Sequence, residues 1–151
     1  MTISRLRVAR GGALGLVAIV LASTTARPAA AQSGAWVATV SQLGSAGGSA
    51  DLTVESRNDK QSRAKIVLRN TKRDMRLAWD IAEGNCRDEG KPIAPQAVFT
   101  VIQTQMDGSG TATANIPKLE SGKRYYVRVF DPQTAATDAS AFGCANISEK
   151  P

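Results

Sequence analysis

Histidine is absent from all 151 residues. That removes the side chain that most often acts as a general base near neutral pH and most often ligates transition metals. No Ser-His-Asp triad can be assembled, and a cysteine nucleophile would lack its usual base. Cysteine is scarce as well, with only Cys86 and Cys144. Aromatics make up 5% of the chain, and none interleave the basic residues between Arg57 and Arg76. A stacking platform for single-stranded nucleic acid is therefore disfavoured. No apolar run reaches the roughly 20 residues needed to span a bilayer.

What is present begins with an export signal. Arg5, Arg7 and Arg10 form a positive n-region, residues 11–22 are small and apolar, and Ala29-Ala30-Ala31 fits a small-residue cleavage site before Gln32. There is no adjacent Arg-Arg pair, which argues against a twin-arginine route, and no cysteine after the apolar stretch for lipid attachment. The expected organisation is a cleavable leader over 1–31 and one domain over 32–151, periplasmic or secreted. The two cysteines of an exported chain predict a disulfide.

Removing the leader changes the charge argument. The chain carries +6, but Arg5, Arg7, Arg10 and Arg27 leave with the leader. The remaining 15 basic and 13 acidic residues give +2. Global charge then offers no case for nucleic acid binding.

The apolar period in the mature chain is two. Ala50, Leu52 and Val54 alternate with Asp51, Thr53 and Glu55; Ala64, Ile66 and Leu68 alternate with Arg63, Lys65, Val67 and Arg69. Leu77, Trp79 and Ile81 alternate with Arg76, Ala78 and Asp80. Ala112, Ala114 and Ile116 repeat the pattern, as do Tyr125, Val127 and Val129 against Tyr126, Arg128 and Phe130. Such runs bury one face and wet the other. Further strands are expected over 36–43, 98–104 and 142–147. Turn residues separate them, most clearly Asp107-Gly108-Ser109-Gly110. Pro92 and Pro95 make 84–96 a loop. About eight short strands at this spacing imply an all-β antiparallel sandwich or barrel. Trp36 and Trp79 are candidate core residues. Tyr126 and Phe130 share an outward face with Arg128, and the segment 131–141 is expected to cover Phe130.

Residues 79–86 read Trp-Asp-Ile-Ala-Glu-Gly-Asn-Cys, followed by Gly108-Ser-Gly-Thr-Ala-Thr-Ala, Tyr125-Tyr-Val-Arg-Val and a closing Ala-Phe-Gly-Cys-Ala-Asn-Ile. This order resembles the exported β-sandwich domains of the chordin-type (CHRD) and copper/zinc superoxide dismutase kind. The resemblance covers about residues 64–147 and implies a Greek-key topology with a Cys86–Cys144 disulfide. The departures are chemical. Asp80 and Ala82 stand where the metal-binding relatives carry histidines, so the copper chemistry, which needs several imidazoles, is not carried over. No cofactor and no catalytic or metal-ligating residue is expected.

Two clusters invite other readings. Asp80, Glu83, Asp88 and Glu89 flank Cys86. They suggest either an oxygen-ligand cation site, an acid/base pair, or a solvated loop balancing Arg87 and Lys91. Arg63, Lys65 and Arg69 line one outer strand face, and Lys72 and Arg73 extend it in the next turn. This strip suits a polyanion, or simply keeps strands soluble. Asp107-Gly-Ser-Gly lacks the Lys and helix of a phosphate loop. Asn146-Ile147-Ser148 is a glycosylation sequon. The expectation is a non-enzymatic exported module with a binding or structural role. Its partner is an unidentified envelope or extracellular molecule, with an anionic one among the options. The alternatives are a metal-dependent protein or enzyme built on the acidic loop, and polyanion binding through the strip.

Overall fold

The computed structural model describes residues 35–133 and 141–150. They form eight antiparallel strands: β1 Trp36–Val40, β2 Ser49–Ser56, β3 Gln61–Arg69, β4 Arg76–Glu83, β5 Ile102–Gln103, β6 Gly110–Pro117, β7 Tyr125–Phe130 and β8 Ala141–Glu149. The expected leader, 1–31, and its cleavage site before Gln32 lie outside the described residues.

The period-two residues explain the ladders. Leu52, Ile66 and Ala112 stand side by side on β2, β3 and β6, as do Val54, Ala64 and Ala114. Large and small inward side chains thus meet across neighbouring strands, and all six are buried. With Leu77, Trp79, Ile81, Val127 and Val129 they form one core.

The strands make a single sheet in the order β5-β4-β7-β8-β1-β2-β3-β6. Its two edges nearly meet. β5 turns into β6 through a hairpin in which Gln105 N–H donates to the Ser109 carbonyl at 2.7 Å. A Cβ on Gly110 would lie 2.7 Å from Ile102 Cγ2 and 3.3 Å from the Gln103 carbonyl, so only glycine allows β6 to approach β5 this closely. The result is a nearly closed barrel. β4, β5 and β6 follow one another and β7 returns beside β4, which is the Greek-key arrangement.

Three expectations are corrected. The first strand stops at Val40, because Gly44–Ala46 forms a single 3-10 turn whose Ala46 N–H bonds back to the Leu43 carbonyl. The strand expected over 98–104 shrinks to Ile102–Gln103. After Pro95 the N–H groups of Val98 and Phe99 turn back to the carbonyls of Pro95 and Gln96 in a second 3-10 turn, Gln96–Val98, and leave the ladder. Finally, β4 and β7 have no wet face. Ala78, Asp80, Ala82, Tyr126, Arg128 and Phe130 point away from the core yet are all buried. The loop after β4 folds back over Asp80, Ala82, Tyr126 and Arg128, while most of the segment expected to cover Phe130, 131–141, lies outside the described residues.

Candidate functional site: a hollow at the barrel seam

The cover over β4 and β7 is stapled, latched and laid alongside the sheet. Cys86 is disulfide-bonded to Cys144 on β8, with Cα atoms 5.7 Å apart. Beside the staple, Cys86 N–H donates to Asn146 Oδ1 at 2.7 Å. The Asn146 amide of the sequon therefore anchors the cover. The Tyr126 hydroxyl accepts from Gly90 N–H at 2.9 Å and donates to the Asp88 carbonyl at 2.8 Å. A Cβ on Gly90 would run into the Glu83 carbonyl and the Tyr126 ring, so this crossing also requires glycine. Further along, Glu83 N–H donates to the Lys91 carbonyl and Ile93 N–H to the Ile81 carbonyl. The loop thereby takes the place beside β4 that the two-residue β5 leaves empty.

Beneath the cover lies a buried ion pair. Asp80 on β4 and Arg128 on β7 are register partners. Arg128 Nε and Nη2 donate to the two Asp80 oxygens at 2.9 and 2.7 Å. The guanidinium also lies 5.6 Å from the centre of the Tyr126 ring. Asp80 was expected among the solvated acids around Cys86. It is fully buried instead, because the loop that carries those acids covers it. Its pairing with Arg128 is not among the expectations from sequence. The available signal was two opposite charges flanked on one face by Ala78, Tyr126 and Phe130.

The seam between β4 and β6 is closed by side chains. Phe99 is buried edge-on against Trp79, with centroids 5.1 Å apart. Trp79 Nε1–H donates to the Thr100 carbonyl at 2.9 Å, and the Thr100 hydroxyl donates to the Thr113 carbonyl on β6 at 2.8 Å. Outside this bridge is an open hollow of about 930 Å³. Ala78 and Phe130 contribute from the strands, the loop residues Pro92 to Val101 from the side, and Pro132 from beyond β7. Its size lies in the range of small-molecule sites and its wall is mostly apolar. Lys91 is the one charged residue in that wall among the described residues. In the sequence Pro92 and Pro95 signal only a break in strand structure, and the hollow leaves no sign there, since no periodic pattern identifies a surface made by a loop.

The acidic cluster does not assemble. Asp80 is committed to Arg128, Asp88 Oδ2 accepts from Asn85 Nδ2 at 2.9 Å, and Glu83 and Glu89 are exposed. Among the described residues no three Cys, Asp or Glu side chains come together in a metal-holding group. The basic strip is laced with acids. Arg63, Lys65 and Arg69 do share an outer face of β3, but Arg69 pairs with Asp51 at 3.1 Å and Arg63 stands opposite Glu55. Lys72 and Arg73 are exposed in the turn after β3. The displaced titrations lie away from the hollow. Hydrogen bonds from Ser109 lower Asp107, and Glu120 raises Lys123.

Comparison with known protein families, curated proteins and solved structures finds no match to this chain.

Proposed function

We propose that the chain is a non-enzymatic exported module whose work is binding, through the apolar hollow at the barrel seam. The observation that carries this reading is the hollow itself, a concave, mostly apolar surface built by a stapled loop on a rigid barrel. A disulfide in the cover suits an oxidising compartment, as does the leader composition. The resemblance to chordin-type and dismutase-like domains enters this reading for strand order alone and brings no copper chemistry with it. The residue standing at a metal-ligand position, Asp80, has both oxygens bound by a guanidinium, which leaves the carboxylate poorly placed to hold a cation.

The test is uptake of a neutral apolar fluorophore such as N-phenyl-1-naphthylamine. Its emission is expected to rise and saturate with the oxidised protein. Ala97→Trp and Val101→Arg, at exposed wall positions whose change leaves the core intact, are expected to abolish the signal. Absence of saturable uptake by the unaltered protein would overturn the proposal.

A further inference from the structure

Resting on that reading of the hollow, we infer that its ligand is a single-chain amphipathic anion of the fatty-acid class. The hydrocarbon body lies against the wall from Pro92 to Val101, and the carboxylate lies beside Lys91.

Several of the wall's polar groups are already spent. Pro92 and Pro95 have no backbone N–H. Ile93 N–H is given to Ile81, and the Pro95 and Gln96 carbonyls accept from Val98 and Phe99. The Gln96 amide donates to the Trp79 carbonyl at 3.2 Å. The Thr100 carbonyl and hydroxyl are both held in the seam bridge. A peptide entering this hollow would bring a donor and an acceptor with nearly every residue, and those that meet the spent groups or the prolines cost free energy for each group left unpaired. A hydrocarbon chain brings none.

The electrostatics choose the head group. Lys91 is exposed, belongs to the wall and forms no ion pair among the described residues. A long lysine stem lies along apolar surface while its ammonium stays at the water boundary. An anion at the mouth is thus favoured over a neutral or cationic head, by the modest amount of an exposed pair.

The test is displacement of bound N-phenyl-1-naphthylamine by laurate, dodecanol and dodecylammonium, each kept below its aggregation threshold. Laurate is expected to displace the probe at about 2- to 5-fold lower concentration than dodecanol in low salt, with the difference fading in 0.5 M salt. Lys91→Gln is expected to bring the two together, and Lys91→Glu to reverse the order in favour of dodecylammonium. Equal displacement by laurate and dodecanol in the unaltered protein, or a laurate preference that survives Lys91→Gln, overturns the inference while the hollow stands as a site. Failure of the probe to bind removes both. Cosedimentation with anionic vesicles without displacement by free laurate also overturns it, and assigns the lysine to a membrane surface.

Discussion

Asp80 and Arg128 face one another across β4 and β7 in a two-pronged pair whose side chains are 0% and 2% exposed. The loop that hides them is held by Tyr126, the neighbour of Arg128 on the same buried face. The pair is therefore both a product of the cover and a reason the cover has to stay shut.

Removing one partner leaves a buried charge without compensation. Asp80→Ala is expected to lower unfolding stability by about 3–5 kcal/mol, read from the urea midpoint at unchanged m-value. The double change Asp80→Leu with Arg128→Met is expected to lose much less, because apolar side chains of similar volume need no compensation there. A double variant as unstable as the single one would show that the pair is needed for its shape rather than its charge.

The Cys86–Cys144 bond closes a long loop, with 58 residues of separation. Loss of the constraint on the unfolded chain is worth about 4 kcal/mol. The Cys86→Ser/Cys144→Ser protein is expected to unfold earlier in urea by that amount. It is also expected to take up the fluorophore more weakly, since the staple anchors the start of the loop that builds the hollow. Intact mass after alkylation without reductant should show no labelled thiol in the native protein.

Phe99 is the plug of the seam. Phe99→Ala removes a buried ring packed on Trp79 and is expected to cost about 3–5 kcal/mol. Hydrogen exchange should localise the damage, with protection lost first in β5 and the start of β6 and kept in the β2–β3 ladder. Uniform loss across the barrel would mean that the seam is not a separate weak line.

Arg63, Lys65 and Arg69 are expected to contribute little to retention on heparin. Asp51 and Glu55 lie among them, and exposed pairs of this kind largely cancel at a distance. Elution at low salt, unmoved by alanine at all three positions, is the expected result. A steep salt dependence that disappears in the triple variant would restore the polyanion alternative.

The ladder strands were legible because one face of each meets the core and the other meets water. Leu52, Ile66 and Ala114 announce their neighbours by spacing alone, and the cysteine pair follows from there being two. β4 and β7 were half legible. Their inner faces read correctly, but burial of Asp80, Tyr126 and Arg128 depends on how the loop after β4 folds back, which alternation does not register. β5 was misread in length because Pro95 redirects the chain into a turn that alternation does not register. The hollow was illegible, since it is defined by what the loop 91–101 leaves unfilled.

The strand order carries a consequence for how the molecule comes into being. β8 lies between β7 and β1, and Trp36 pairs with Glu149. Within the hydrogen-bonded ladder, β8 is the strand that joins β5-β4-β7 to β1-β2-β3-β6. A nascent chain that has emerged as far as β7 holds two unfinished sheet fragments with open edges. Joining of the two ladders has to wait until β8 has been made, so synthesis of the first seven strands can run ahead of ring closure.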